Sequence, residues 1–425
     1  MAGRWLPTWG LTSVAFGGAS LIVPLYVVEL GGDAFELGIL FAAASFVGVP
    51  GALIFGRLAD RSGKRRRFVL VAMAIAVATM LLIPLLNRIA AVVIANALLW
   101  FGFAAALPVV TLLTVAETAE SEWSRLIARL NKFQGIGWAG GLALGFVIIA
   151  IASRVVEPIT AQRVFFVACA ISASLGLVLA RWRLPPDPSA GSEPEPRRLQ
   201  RRLRSTATFN VRGASFPFTP SRFDPRQLRP RVFLDRFTPR LGLYYLAVLA
   251  FFTGFGIFFA PLPAFLTDLG YGSTEIFGLY LLLNVAAAAF FGRAAVLSER
   301  YSVIRVHIGG LAIRGVILPV VALIGLLVGV GVVGLGGFGM LFILLGITWA
   351  VIAVTAATLL TSLAPLAIRG EALGMYGALV AVGGGVGGVL GGLLAIVDSL
   401  LAFAVAGGMV VVGASIVFLV SRWNP

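Results

Sequence analysis

The sequence is poor in charged residues, which form 12% of its 425 residues, whereas apolar residues form 59%. Soluble domains carry about 25% charged residues, so this chain has too few charges to cover a water-soluble surface. It has a single cysteine, Cys169, which excludes an internal disulfide and any site with several cysteine ligands. These deficits predict an integral membrane protein.

Motifs of catalysis are missing as well. The chain has one histidine and no Gly-x-Ser-x-Gly motif. Gly56 and the pair Gly63-Lys64 are too far apart for a phosphate-binding loop, and Arg65 replaces the Ser or Thr that such a loop requires. The sequence therefore predicts neither an enzyme nor a bound cofactor or metal.

Long apolar runs fill most of the chain, and a helix needs about 20 such residues to cross a bilayer. We predict twelve membrane-spanning helices, numbered here as spans 1 to 12, in an all-α fold. Spans 1 to 6 cover residues 9–30, 36–56, 68–87, 90–115, 133–152 and 163–182. Spans 7 to 12 cover residues 241–267, 275–297, 304–328, 332–360, 372–396 and 399–421. Residues 1–182 and 241–425 are thus predicted to form two six-helix bundles.

The bundles are joined by residues 183–240, which hold 10 of the 21 prolines together with 13 arginines. Such a composition does not bury a core, and it predicts a solvated connector. Contact of these arginines with anionic lipid headgroups is the alternative.

The net charge of +15 follows the membrane topology rather than a nucleic-acid-binding face. If the N-terminus is cytoplasmic, 29 basic residues lie on the cytoplasmic side of the spans and 3 lie outside. Cytoplasmic segments of membrane proteins carry this excess of basic residues. We therefore predict both termini in the cytoplasm, a location in the cell membrane and no nucleic-acid partner.

The two halves resemble each other. Three positions of span 1 recur in span 7 at a shift of 237, namely Gly17, Pro24 and Leu25. Three glycines of span 5 recur in span 11 at a shift of 247, namely Gly137, Gly141 and Gly145. Because six spans separate the copies, the repeat is parallel, an arrangement found in transporters whose halves rock around a central site.

The gap between spans 2 and 3 carries an ordered set of glycine, acidic and basic residues: Gly56, Arg57, Asp60, Arg61, Gly63, Lys64 and Arg65. This loop resembles the signature loop of the major facilitator superfamily. The twelve spans and the long central linker also resemble the architecture of that family. The resemblance implies two pseudo-symmetric bundles and transport by alternating access.

It also implies a conformational latch, in which Asp60 meets the positively polarised N-terminus of span 11. Arg61 and Arg57 would pair with nearby acids, for which Glu117 is the candidate. At a shift of 236, Asp60 corresponds to Val296, so the latch is expected in one copy only.

Polar and aromatic residues inside spans are candidates for substrate contact, because polar groups are costly in lipid. The resemblance implies that spans 1, 4, 7 and 10 line the cavity, with spans 2, 5, 8 and 11 beside them. The candidates are Tyr26, Asn96, Trp100, Gln134, Trp138, Asn284, Trp349 and Tyr376.

Charged residues within the spans are few. No acid lies near the middle of a span, and Glu29 is expected at the outer rim, so the sequence does not support proton coupling through a midplane acid. A coupling role of Glu29 is the alternative. Arg314 is expected near the midplane, where it either snorkels or pairs in a helix–helix contact, or recognises an anionic substrate.

These observations predict a monomeric transporter of a small neutral or amphipathic solute, with efflux favoured over sugar-type uptake. A coupling proton or ion remains open. The alternative is a non-transporting membrane sensor or scaffold with the same fold.

Overall fold

The computed structural model describes residues 5–62, 64–115, 122–185, 238–365 and 369–422. Within these ranges, the side chains of residues 49–62, 115, 123–125 and 369–371 are left undescribed. The described residues form helices and their connections, and no β-strand occurs among them.

Within the described ranges, six long helices precede the linker: α1 (Leu6–Glu29), α2 (Ala34–Ser62), α3 (Arg65–Leu82), α4 (Ile89–Val115), α5 (Trp123–Ala152) and α6 (Pro158–Arg183). Seven described helices follow it: α7 (Pro239–Phe259), α8 (Leu262–Asp268), α9 (Ser273–Arg300), α10 (Val303–Val328), α11 (Val332–Leu363), α12 (Arg369–Val397) and α13 (Ser399–Arg422). Among the described residues, eleven segments are long and apolar enough to cross a membrane, with α7 and α8 counted as one. A further apolar segment, Ala34–Gly48 of α2, is shorter than these eleven. The prediction of an all-α membrane protein with twelve spanning helices is therefore confirmed.

Two predicted spans differ most from the helices observed. Span 5 was expected from residue 133, but α5 already begins at Trp123, because the basic segment before the apolar run continues the helix. Span 7 was expected to be continuous, but it is interrupted between α7 and α8. Pro261 and Pro263 lie at the interruption, and each lacks the N–H group that would continue the helical hydrogen bonds.

The chain divides into two compact units. Unit 1 consists of Met1–Val23 and Val47–Arg212, and unit 2 consists of Pro24–Phe46 and Gly213–Pro425. This division follows contacts rather than the internal repeat, so the domain boundaries at residues 182 and 241 stay a prediction.

The two units repeat the same packing of their helices. Carbonyl oxygens of α1 and α7 lie directly against glycines of α5 and α12, where a β-carbon would clash. The pairs are Gly10 with Gly137 and Val14 with Gly141 in unit 1, and Leu249 with Gly383 and Thr253 with Gly387 in unit 2. Small residues allow this close approach of helix backbones in membranes.

These contacts correct the register of the repeat. Residues of α1 correspond to residues of α7 at a shift of 239, and residues of α5 to residues of α12 at 246. The sequence-based shifts were 237 and 247. The difference arises because glycine-rich apolar helices match one another in several registers, and only the contacts distinguish among these.

The shift of 239 holds beyond α1. Gly31 and Gly270 correspond at this shift, and both have positive φ, 86° and 97°, where their helices end. The next helices, α2 and α9, begin at residues that are also 239 apart. Along these helices the same register pairs Asp60 with Glu299, instead of with Val296 as the sequence-based shift had it.

Candidate functional site

A cluster of aromatic side chains forms the centre of unit 1. The Trp9 ring is stacked on Phe103 with centroids 6.3 Å apart, and Phe16 lies 4.5 Å from Phe103. Trp138 of α5 lies 5.9 Å from both Trp100 and Phe103 of α4. Three helices therefore contribute to one aromatic surface, which we call the unit 1 cluster.

Two amide side chains border the unit 1 cluster, and both are buried. The Trp9 indole N–H donates to Gln134 Oε1 at 3.2 Å, and the Trp100 indole N–H donates to Asn96 Oδ1 at 3.1 Å. Because an indole nitrogen only donates, these bonds fix which end of each amide faces the ring. Neither amide nitrogen donates a hydrogen bond within the described part of the chain. The amide nitrogens of Asn96 and Gln134 are therefore two hydrogen-bond donors available beside an aromatic surface.

Four of the sequence-predicted candidates thus come together in unit 1: Asn96, Trp100, Gln134 and Trp138. Trp9, Phe16 and Phe103 were not among the sequence-predicted candidates. The signal was present, because Trp9 and Phe16 are seven residues apart on one helix face, but apolar helices offer many such pairs.

Unit 2 contains a related but smaller arrangement. Phe252 lies 6.4 Å from Trp349 and 6.1 Å from Tyr376, so these two predicted candidates share a neighbour. Phe255 lies 6.3 Å from Trp349. At the shift of 239, Phe16 corresponds to Phe255, and each packs on an aromatic ring of the fourth long helix of its half.

The other two predicted cavity residues have different surroundings. Asn284 is half-buried and donates through Nδ2 to the Tyr280 carbonyl one turn earlier, at 2.8 Å. Tyr26 is fully buried within α1. Glu29 is the last residue of α1 and is exposed, as expected for a position at the rim.

Arg314 lies near the middle of α10, about 17 Å along the helix from Val303. Its side chain is 1% exposed, so it does not snorkel to a surface. Nη1 donates to the Leu345 carbonyl at 2.8 Å and to Thr348 Oγ1 at 3.2 Å, both on α11. The expected helix–helix contact is therefore present, and it joins α10 to α11.

Three aromatic rings enclose the Arg314 guanidinium. Its Cζ lies 4.5 Å from the centroid of Phe255, 5.6 Å from that of Phe259 and 5.9 Å from that of Trp349. Each such contact contributes about 2 kcal/mol or more when it is desolvated. The idealised cost of burying an ion is on the order of 20 kcal/mol, of which several remain after relaxation. The rings and the two hydrogen bonds offset part of that cost, but Arg314 has no carboxylate partner within the described residues.

His307 lies two turns before Arg314 on the same face of α10 and is fully buried. Its Nδ1 lies 2.7 Å from Thr355 Oγ1, whose hydroxyl already donates to the Val351 carbonyl. Nδ1 is therefore the donor in this pair. The contact ties α10 to α11 a second time, which agrees with a structural role for this histidine.

The predicted latch lies largely beyond the described side chains. Gly63 and Glu117 fall outside the described residues, and so do the side chains at Gly56, Arg57, Asp60 and Arg61. Lys64 is exposed, whereas Arg65 is buried at the start of α3. The latch therefore stays a prediction.

Comparisons with known proteins agree with the fold. The model of the Major Facilitator Superfamily matches residues 8–345. A crystal structure of a variant of the nucleoside transporter NupG matches with a TM-score of 0.74 and 13% identity, covering 98% of each chain. A bacterial homologue of the human lysosomal transporter Spinster, in an inward-facing and unoccupied conformation, matches with a TM-score of 0.64 and 12% identity, over 99% of this chain and 98% of that one. No curated protein sequence matches this chain.

The family match spans far more than half of the chain, and the solved transporters share its fold over nearly the whole length. The helices observed agree with that match in number and apolar character. This protein is therefore a multi-pass membrane transporter that belongs to the major facilitator superfamily.

Proposed function

We propose that this protein is a secondary transporter that moves a small, uncharged or amphipathic solute by alternating access. It acts as a monomer in the cell membrane with both termini in the cytoplasm, and efflux is favoured over sugar-type uptake. The observation that carries the proposal is the unit 1 cluster, with two spare amide donors beside five aromatic rings.

The chemistry of this cluster suits a particular kind of solute. Aromatic rings present apolar faces that pack well against planar or apolar groups. The nitrogens of Asn96 and Gln134 can donate to carbonyl, hydroxyl or ring-nitrogen acceptors. The cluster itself contains no charged side chain, so an ionic solute would lose its hydration without compensation.

Nucleosides are a reasonable first class to test. They are uncharged, they carry a planar base, and they offer several hydrogen-bond acceptors. The NupG structure that shares this fold is described as a nucleoside transporter, but at 13% identity its likeness supports the fold rather than the substrate. Apolar drug-like compounds form the second class, in keeping with the preference for efflux.

The test is transport by purified protein in proteoliposomes. Radiolabelled nucleosides, sugars and amphipathic dyes are measured for entry into empty vesicles and for exit from loaded ones, with and without imposed proton and sodium gradients. We expect saturable transport of at least one uncharged planar solute. Absence of transport for every class, with folded protein, would favour the sensor or scaffold alternative.

A pair of variants tests whether the unit 1 cluster is the site. Asn96→Leu removes a buried donor, whereas Asn87→Ala removes an exposed amide in a loop. A typical hydrogen bond contributes about 1 kcal/mol, so we expect KM to rise about fivefold for Asn96→Leu. The Asn87→Ala variant is expected to transport normally, and equal behaviour of the two variants would contradict the assignment.

A further inference from the structure

The Arg314 guanidinium uses only one of its two hydrogen-bonding edges. Nη1 makes both bonds to α11, to the Leu345 carbonyl and to Thr348 Oγ1. Nε is buried and has no hydrogen-bond partner in the described part of the chain. Nη2 takes part in neither of the two bonds. The side-on edge formed by Nε and Nη2, which matches the two oxygens of a carboxylate, is therefore unused within the described residues.

We propose that this edge binds a carboxylate, or a small monoanion of similar size, as a site separate from the unit 1 cluster. The anion would neutralise a charge that α10 carries into the apolar part of the protein. It would also supply acceptors to Nε and Nη2, which have none among the residues that the structure describes. The inference goes beyond the proposed function, because it does not depend on which neutral solute is transported.

The surroundings of Arg314 favour a monoanion over a larger charge. Rings of Phe255, Phe259 and Trp349 form the walls, and the nearby Thr348 hydroxyl is already engaged with the carbonyls of its own helix. One cation among apolar walls balances one negative charge, and a dianion would remain half uncompensated.

Entry of the anion requires a movable wall, because Arg314 is 1% exposed. Phe259 is the half-buried ring of the three and is the last residue of α7, where the helix is interrupted before α8. Interrupted helices in transporters occur where ions and substrates bind. We expect the Phe259 ring to give way when the anion binds.

The test measures the thermal stability of the full-length protein in detergent, with a fixed background of sodium sulfate. The protein is titrated separately with sodium acetate, with acetamide and with sodium chloride, and the changes in Tm are compared. Acetamide has the same shape as acetate and no charge. We expect Tm to rise saturably with acetate and not with acetamide. The apparent acetate affinity should fall at least about tenfold in Arg314→Gln, because two charge-assisted bonds are lost. Arg305→Gln, which removes an exposed charge from the same helix, should keep the wild-type response.

Two further measurements keep the proposal testable if Arg314→Gln does not fold. Arg314→Lys keeps the charge but loses the side-on edge, so it should respond to acetate no more than to chloride. Iodide should quench part of the tryptophan fluorescence saturably, and Trp349→Phe should abolish that part, since Trp349 lies 5.9 Å from the guanidinium. No preference for acetate over acetamide in the wild type, or an unchanged preference in Arg314→Lys, would overturn the proposal and leave Arg314 as a purely structural residue.

Discussion

Polar side chains within the helices fall into two groups by the bonds they make. Hydroxyl groups such as Ser13 and Thr253 donate to a carbonyl one turn earlier on their own helix, at 2.7 Å each. Such bonds satisfy the hydroxyl locally and leave it little capacity for a solute. Asn96, Gln134 and Arg314 differ, because each keeps at least one nitrogen without a partner among the described residues. The proposed recognition of a solute therefore rests on few side chains.

The predicted conformational latch can be tested by changing a single carboxylate, that of Asp60. Replacing Asp60 by Asn removes the charge that is expected to meet a helix N-terminus, an interaction worth about 0.3–2 kcal/mol. We expect the rate of transport in proteoliposomes to fall severalfold, with expression and Tm unchanged.

The matched control is Glu157→Gln, which neutralises an exposed acid before α6 that makes no capping hydrogen bond. It should transport like the wild type. Wild-type transport by Asp60→Asn would remove the basis of the latch assignment.

Contacts between whole helices depend on glycine in both units. α5 approaches α1, and α12 approaches α7, so closely that carbonyl oxygens take the place a side chain would need. The N-terminal part of α2 contacts α12 in the same way, with Gly38 lying against the Gly388 carbonyl. Backbone contacts of this kind fix the spacing of helices, since any side chain must separate them.

Alanine substitutions test these contacts in parallel. Gly141→Ala in unit 1 and Gly387→Ala in unit 2 each place a β-carbon against a carbonyl of the facing helix. Overpacking of this kind costs about 1–3 kcal/mol, so both variants should have a lower Tm in detergent.

Glycines in open space provide the controls. A β-carbon at Gly135 of α5 or at Gly336 of α11 would meet nothing within 4 Å. Alanine favours the helix over glycine by about 1 kcal/mol, so these variants should be as stable as the wild type or more stable. Equal losses of Tm at all four positions would show that the helix contacts are not the cause.

On the scale of the whole molecule, the same pattern of helix packing occurs within each unit. The same carbonyl-to-glycine contacts hold α1 to α5 and α7 to α12. Gly176 of α6 lies against Thr8 and Thr12, and Gly413 of α13 lies against the corresponding residues Ala247 and Phe251. A duplicated six-helix segment accounts for these matches.

Topology is tested by labelling with a membrane-impermeant thiol reagent. Cys169 is fully buried and is the only cysteine, so Cys169→Ala provides the background. Arg154→Cys follows α5 and Arg300→Cys ends α9, and both positions are exposed. In intact cells we expect labelling at position 154 only, with position 300 labelled after permeabilisation. The reverse pattern would place the termini outside.

The sequence by itself determined the class of the fold, the number of spans and the family. These depend on local quantities: the length of apolar runs, the distribution of 33 basic residues, and one loop motif. A bilayer imposes its thickness and its charge asymmetry on each span separately, so such features can be counted along the chain. The sequence also supplied Asn96, Trp100, Gln134 and Trp138, because polar and large aromatic residues are scarce in its spans.

The tertiary structure alone decided the register of the repeat, the break between α7 and α8, and the partners of Arg314. Each depends on which turns of separate helices face one another, such as Trp9 and Gln134, which are 125 residues apart. The third and fourth long helices differ in length between the halves, with 18 and 27 residues in α3 and α4 against 26 and 32 in α10 and α11. The shift therefore changes from 239 to 246 along the chain, and no single alignment predicts it. Apolar helices also pack in several registers of similar hydrophobicity, and only close packing of glycine against backbone selects one of them.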